Sequence, residues 1–173
     1  MDDNKYWASF YSCFAIPAPR ENDEDTFNVE EVLLGLTLLT GDEHEKKSRF
    51  VFDLITHRTK KEALEADDVH FFLRIFFLVA CDYAPRFSNA IRKRSDNAYD
   101  LWQQNYPAVI DDLVRSYVSW KGKIGRFEFI LKSGTATLKD IFRYEGLMKK
   151  LNDYIYQQEE RRTNASFPDA FAN

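Results

Sequence analysis

Apolar residues recur at helical spacing along most of the chain, and short polar, glycine- or proline-containing stretches separate the apolar segments. This pattern predicts helices at residues 5–14, 28–40, 43–56, 67–82, 89–104, 107–118, 126–132 and 136–160. Pro17 and Pro19 exclude a regular element from the polar stretch 17–26. The periodicity therefore predicts an all-α fold.

The segment 67–82 carries the strongest apolar signal in the chain. Between Val69 and Val79 only His70 and Arg74 are polar, so this helix is apolar on every side and has to be covered on most of them. Two interpretations stay open at this point. Either the helix belongs entirely to the core, or part of it lines a groove that is open to a partner.

A second apolar seam lies near the C-terminus, with its members alternately three and four residues apart. The seam consists of Ile141, Tyr144, Met148, Leu151 and Ile155. It covers about two heptads, which is shorter than a coiled coil needs. We expect the seam either to occupy a groove of its own chain or to form a homodimer contact.

Composition and charge exclude several classes of protein. Apolar residues make up 45% of the 173 residues and charged residues 30%, which excludes a disordered chain. The formal net charge of −4 predicts no overall attraction to nucleic acid. The apolar run 71–81 is too short to span a bilayer, so no stable membrane insertion is expected. Two cysteines make no disulfide framework, which favours a reducing, cytoplasmic location.

Candidate catalytic chemistry is sparse. His44, His57 and His70 are too widely spaced to match a zinc-ligand motif. The sequence contains no nucleotide-binding loop and no nucleophile motif. We therefore expect neither an enzyme nor a bound cofactor.

One stretch is rich in cations and contains no acidic residue. Its basic patch consists of Arg86, Arg92, Lys93 and Arg94. Aromatic residues lie nearby in the sequence, and this combination is typical of contacts with RNA or with anionic lipid headgroups. A solvated helix face is the other interpretation, and it is the one we favour.

The run FNVEEVLLGLTLLTGDEHEKKSRFVFDLI at residues 27–55 reads as a helix, a short turn and a second helix. In the run KGKIGRFEFI at residues 121–130, Gly122, Ile124 and Glu128 match positions 6, 8 and 12 of a calcium-binding loop. Together the two runs resemble the EF-hand superfamily, in particular its calcineurin B and neuronal calcium sensor branch.

The resemblance implies helix–loop–helix pairs with short β links between the loops, through Phe27, Leu64 and Ile124. It also implies two lobes: residues 1–84 as a degenerate EF-hand pair, and residues 85–173 as one degenerate EF-hand with a long C-terminal helix. In this family, exiting helices line an apolar groove that receives an amphipathic helix. The branch often fills that groove with its own C-terminal helix.

The residues at the metal-ligand positions depart from the family pattern. Calcium takes about six to eight oxygen ligands, yet Arg20 and Tyr117 stand at position 1 of the first and third loops. The middle loop, which spans residues 56–68 and would close at Asp68, contains Arg58 and Lys61. A cation about 4 Å from a divalent ion costs several kcal/mol, so we expect no metal site. Instead, the acidic stretch 21–25 and the basic middle loop are expected to attract each other.

These observations predict a non-catalytic adaptor or regulatory subunit that binds an amphipathic helix or peptide of a partner protein without needing calcium. The expected partner-binding groove consists of Leu33, Leu36, Phe71, Phe72, Ile75, Phe76 and Val79. Two alternatives stay open. One is a weak calcium-responsive sensor anchored by Glu31 or Glu128, and the other is a helical protein that binds RNA or anionic lipid through the basic patch.

Overall fold

The computed structural model describes residues 14–16, 26–83, 97–118 and 122–165, and within them the protein is mostly helical. The helices are α1 (Val29–Leu39), α2 (His44–Thr59), α3 (Ala66–Leu78), α4 (Asn97–Tyr117), α5 (Arg126–Ser133) and α6 (Tyr144–Ala165). A π-helical turn, Val79–Tyr83, continues α3, and a 3-10 turn, Lys139–Phe142, precedes α6. The predicted all-α class is confirmed.

Local sequence determines where two of these helices begin. The side chain of Asn28 accepts hydrogen bonds from the backbone N–H groups of Glu30 and Glu31, and so caps α1. At the start of α3, Glu65 and Asp68 form a capping box. Their carboxylates also lie at the positive end of the helix dipole, which favours them electrostatically.

The helix break predicted before Pro107 is wrong, because α4 runs through this proline from Asn97 to Tyr117. The apolar face of the helix continues across the proline. Before it, the ring of Tyr106 stacks on Phe77 with the centroids 6.0 Å apart, and after it Val109 is buried. Packing on both sides outweighs the one backbone hydrogen bond that a proline cannot donate.

The last helix begins at Tyr144 rather than near residue 136. The 3-10 turn takes up the residues immediately before it. Leu138 and Ile141 are both buried, and side chains three residues apart eclipse one another in a 3-10 turn. The tighter turn therefore brings both apolar side chains to the same side.

Two short antiparallel sheets are present in the described residues. In the first, β1 (Ala15–Ile16) pairs with β2 (Thr26–Phe27), which places Phe27 opposite Ala15. The expectation that the stretch 17–26 holds no regular element is thus wrong at Thr26. In the second, β3 (Ala63–Glu65) pairs with β4 (Lys123–Gly125), which places Leu64 opposite Ile124. Of the three positions expected to form links between loops, Leu64 and Ile124 thus meet each other, and Phe27 pairs within the N-terminal sheet.

The β3–β4 sheet connects two helix–loop–helix units, α2–β3–α3 and α4–β4–α5. The first helix of each unit packs against the second helix of the other unit, so that α2 contacts α5 and α3 contacts α4. One hydrophobic cluster includes residues of both units, of α1 and of α6. The described residues of the predicted lobes 1–84 and 85–173 share this cluster, and the division into two lobes stays a prediction.

Candidate functional site

The family resemblance implies three carboxylates at the closing positions of the loops, and each of them lies beside a cation of this chain. The pairs are Glu31 with Arg74 at 3.5 Å, Asp68 with Lys61 at 3.2 Å, and Glu128 with Lys132 at 3.2 Å. In a calcium-binding loop, this position binds the ion through both carboxylate oxygens. A metal ion would have to displace a lysine or arginine side chain at each of these places.

Lys61 provides a positive charge inside the middle loop. Its ammonium donates hydrogen bonds to Glu65 Oε2 at 2.7 Å and to Asp68 Oδ2 at 3.2 Å. The same Asp68 oxygen accepts the backbone N–H of Glu65 at 3.0 Å, and Asp68 is only 5% exposed. The hydrogen bonds to Glu65 and then to Asp68 hold the pKa of Lys61 above its ordinary value. The charges of Glu65 and Asp68 are thus partly neutralised by a lysine of the same loop.

Tyr117, at the first position of the third loop, lies in the core. Its ring stacks on Phe129 with the centroids 4.9 Å apart, and its hydroxyl forms a hydrogen bond with Ser133 Oγ at 3.0 Å. Lys132 donates to the backbone carbonyl oxygen of Tyr117 at 2.8 Å, and so places a cation at the C-terminal end of α4. A position that would supply a metal ligand is used here for packing.

The middle loop does not fit the calcium ion that the family resemblance implies. Calcium requires about six to eight oxygen ligands. Of the four carboxylates in the loop, those of Glu65 and Asp68 are already bound to Lys61. Across the described ranges, no three histidine, cysteine, aspartate or glutamate side chains come together as a metal site. Binding of a divalent ion in this loop would require the lysine to leave.

Raising the pH is expected to destabilise the fold above about pH 9. Burial, helped by the charge of Asp82, raises the pKa of the Cys81 thiol to about 12, and burial also raises the pKa of Tyr117. The unfolded chain releases these protons near about pH 8.5 and 10, while the folded chain retains them. The contribution of these two groups to the free energy of unfolding is therefore constant below this range, and above it falls by up to about 1.4 kcal/mol per pH unit for each group.

Urea denaturation at a series of alkaline pH values measures this slope. Lys47 has the opposite effect on stability. Burial lowers the pKa of its ammonium, so its contribution to the free energy of unfolding rises with pH up to the pKa that lysine has in the unfolded chain. The control is Cys81→Ala, which removes one of the two acids and should make the decline shallower. A wild-type stability that is unchanged between about pH 8 and 11 would contradict the prediction.

The predicted partner-binding groove separates into two groups of residues. The buried group lies on the core side of α3 and its π-helical extension, and consists of Phe72, Ile75, Phe76 and Val79. The partly exposed group consists of Leu33, Leu36 and Phe71. A partner cannot reach the buried group in this conformation.

The predicted C-terminal seam belongs to the same hydrophobic cluster as that buried group, and Phe142, next to the seam residue Ile141, covers part of the group. Phe142, in the 3-10 turn, lies against Phe72 and Phe76, with ring centroids 6.3 Å and 5.8 Å away. The sulfur of Met148 lies 4.0 Å from Cys81 Sγ. The same cluster contains Ile141, Leu151 and Ile155, and Tyr144 packs against it. In this conformation the seam is therefore packed within its own chain.

Arg58 covers the outer side of α3. Its guanidinium carbon lies 4.1 Å from the centroid of the Phe71 ring, which is the geometry of a cation–π contact. Its Nε atom is 3.8 Å from Glu30 Oε2 on α1. The acidic stretch 21–25 lies outside the described residues, so its expected attraction to the middle loop stays a prediction.

Residues 84–96 lie outside the described part of the chain. They include the whole basic patch, Arg86, Arg92, Lys93 and Arg94. Its proposed contacts with RNA or lipid are therefore neither supported nor opposed by the structure. Among the helices that the structure describes, none is both long and apolar enough to cross a membrane.

A buried lysine was missed by the sequence pattern. Lys47 is fully covered, and its ammonium donates to the carbonyl oxygens of Leu38 at 3.2 Å and of Phe142 at 2.8 Å. It thereby joins the end of α1 to the end of the 3-10 turn. Hydrophobic periodicity carries no signal for such a residue, because lysine is almost never fully buried unless it is paired.

An exposed apolar face on α5 was also missed. Phe127 is 81% exposed and Leu131 is 63% exposed, on a helix that buries Phe129 against the core. Together with α2 they border a cleft of about 700 Å³, the α2–α5 cleft. A signal was present in the sequence, because Phe127 and Leu131 are spaced i, i+4 and so lie on one face of the helix.

Comparisons with protein families, with curated proteins and with solved structures gave no match to this chain.

Proposed function

We propose that the protein is a non-catalytic, EF-hand-like adaptor or regulatory subunit that binds an amphipathic helix or peptide of a partner protein without calcium. The observation that carries the proposal is a pair of hydrogen bonds within the middle loop. The ammonium of Lys61 donates them to the carboxylates of Glu65 and Asp68, which lie at the end of the loop. A calcium switch needs an ion that binds one conformation better than another. Lys61 belongs to the chain, so its local concentration does not change with a cellular signal.

The arrangement of the helices supports an EF-hand-like design. The α2–β3–α3 and α4–β4–α5 units face each other through the pair Leu64 and Ile124. Each unit also packs its first helix on the second helix of its neighbour. Paired units of this kind present helix surfaces to a partner, and amphipathic helices are a recurring ligand for such surfaces.

The available apolar surface favours a binding role. Phe127 and Leu131 expose most of their area although they lie side by side on α5. Clustered exposed apolar side chains mark interaction sites more often than isolated ones do. The buried group of the predicted groove is covered by the chain itself, so a partner would bind there only after the C-terminal segment had moved.

Calcium at about 1 mM is expected to leave the melting temperature unchanged and to give no binding heat in calorimetry. A sensor loop with a dissociation constant of about 10 μM would gain about 2.7 kcal/mol at that concentration. In a chain of this size, that gain would raise the melting temperature by about 5–10 °C. EDTA should have no effect either. A saturable heat, or a rise in melting temperature that EDTA reverses, would place the protein among the calcium sensors.

The adaptor role is tested by cross-linking in the native source, followed by reconstitution with the purified partner. The affinity of the reconstituted pair is expected to be the same in calcium and in EDTA. A pair that dissociates when calcium is removed would contradict the proposal, and so would the finding that the chain alone turns over a substrate.

A further inference from the structure

We propose that Lys47 anchors a binding site for a small 2-oxo acid, which the lysine holds as a covalent imine. The site is a cavity of about 500 Å³ where the end of α1 and the starts of α2 and α6 meet, the Lys47 cavity. Its lining includes Leu38, Asp42, Lys47, Arg143 and Glu145. The inference is independent of the adaptor role, because holding a ligand as an imine involves no turnover.

Lys47 is a buried cation without a carboxylate partner. The residue is 3% exposed, and in the part of the chain that the structure describes no carboxylate oxygen lies within 4.0 Å of its Nζ atom. Its two hydrogen bonds go to the carbonyl oxygens of Leu38 and Phe142. A neutral amine has two N–H groups and one lone pair, so it can donate both bonds and still use the lone pair as a nucleophile.

The surroundings of Lys47 favour that neutral form. Burial has the largest effect and lowers the pKa of its ammonium. The charge of Arg143 lowers this pKa further, whereas the charges of Asp42 and Glu145 raise it. A lysine that is desolvated beside another cation is activated as a nucleophile, and such lysines form imines with carbonyl compounds.

Arg143 favours a carbonyl compound that also carries a carboxylate. Its side chain is exposed, lines the same cavity and forms no ion pair with any of the described residues. Arg49 and Arg126, by contrast, are each held by a carboxylate of the chain. Guanidinium groups bind carboxylates through two parallel hydrogen bonds. A 2-oxo acid is the smallest ligand that offers a carbonyl carbon to Lys47 and a carboxylate to Arg143.

Formation of the imine needs no reactant other than the 2-oxo acid. The lone pair of Nζ attacks the carbonyl carbon and forms a C–N bond, and the carbonyl oxygen takes up a proton. That oxygen then leaves as water, so that amine and carbonyl become imine and water without oxidation or reduction. Asp42 and Glu145 line the cavity and form no ion pair within the described ranges, so either can deliver the proton to the departing oxygen.

The test treats the full chain with glyoxylate at neutral pH and traps imines with cyanoborohydride. Peptide mass mapping then locates the carboxymethyl groups. Lys47 is expected to be labelled about tenfold faster or more than Lys46, its exposed neighbour on the same helix. Label on the exposed lysines with Lys47 spared would overturn the proposal. The result does not depend on the folding of a variant, because the unaltered chain is labelled.

The pH profile separates an activated amine from a lysine that is merely accessible. The reference is an unstructured peptide with one lysine, whose pKa is about 10.4. The labelling rate of Lys47 divided by that of the peptide should fall as the pH rises towards this value, because the peptide amine then loses its proton as well. A ratio that stays constant with pH would contradict activation of Lys47.

Arg143→Met tests the choice of ligand. Acetaldehyde is the comparison probe, because it is of similar size to glyoxylate and has no carboxylate. The ratio of glyoxylate to acetaldehyde labelling at Lys47 is expected to fall about fivefold or more in the variant. This ratio cancels any change in the reactivity of the amine itself. Arg115→Met, which replaces an exposed arginine on α4, is the matched control and should leave the ratio unchanged. An unchanged ratio in Arg143→Met would overturn the proposed 2-oxo acid site.

Discussion

Replacing Phe72 by alanine is expected to lower the free energy of unfolding by about 4 kcal/mol. Phe72 has no exposed surface and lies among other aromatic rings. The distances between ring centroids are 5.6 Å to Phe76, 6.0 Å to Tyr117, 5.8 Å to Phe129 and 6.3 Å to Phe142. Alanine would leave a cavity where α3, α4, α5 and the 3-10 turn meet. Its walls are held by other contacts, so they can close the cavity only in part.

Urea denaturation measures the loss, and Phe71→Ala is the matched control. Phe71 is the neighbouring residue of the same type on the same helix, but it is partly exposed. Its replacement is expected to cost about 1 kcal/mol, because less area leaves the interior. If both variants lost the same small amount, Phe72 would belong to an open groove, as the sequence-based hypothesis required, and the packing described above would be wrong.

Most helix positions could be predicted from the sequence, because each helix covers part of one core and shows this in its apolar spacing. The start of α1 is also encoded locally, in the Asn28 side chain that caps it. The prediction failed at Pro107, where the local rule against proline competes with burial. Packing of Tyr106 and burial of Val109 on the same face decide the outcome, and that packing involves residues far away in the sequence.

What covers α3 could not be predicted from its own residues. A helix that is apolar on every side must be buried by other segments of the chain, but its own sequence does not indicate which segments pack against it. The structure places Phe142 against Phe72 and Phe76. The ammonium of Lys47 also donates a hydrogen bond to the carbonyl oxygen of Phe142 at 2.8 Å. That contact joins positions that are distant in the sequence, where periodicity carries no information.

The ion pairs of the loops illustrate the same limit. Lys61 lies close in sequence to Glu65 and Asp68, so the pairing of these three residues is local and visible in the sequence. The pair between Arg74 and Glu31 joins α3 to α1, and it forms only because the two helices pack together. Cations near the loops could be predicted, whereas the carboxylate that each one meets depends on the fold.

Gly146→Ala is expected to lower the free energy of unfolding by about 3 kcal/mol or more. Gly146 lies in the first turn of α6, directly against the 3-10 turn. A Cβ atom there would overlap the backbone oxygen of Asp140 and would lie 2.6 Å from its carbonyl carbon. That oxygen already accepts the N–H of Arg143 at 3.1 Å, so the turn cannot move aside without losing a hydrogen bond. Movement of the turn would also shift Phe142 away from the ammonium of Lys47.

Gly41→Ala is the control for this substitution, because a Cβ atom at Gly41 would meet nothing within 4 Å. Its effect is expected to stay within about 0.5 kcal/mol of the wild type. Thermal melting and urea denaturation compare the two variants. Because the turn also carries Phe142 against Phe72, the loss in Gly146→Ala should be less than additive with that in Phe72→Ala. A Gly146→Ala chain as stable as the wild type would mean that the 3-10 turn does not lie against α6, and the cover of α3 would then have to come from another segment.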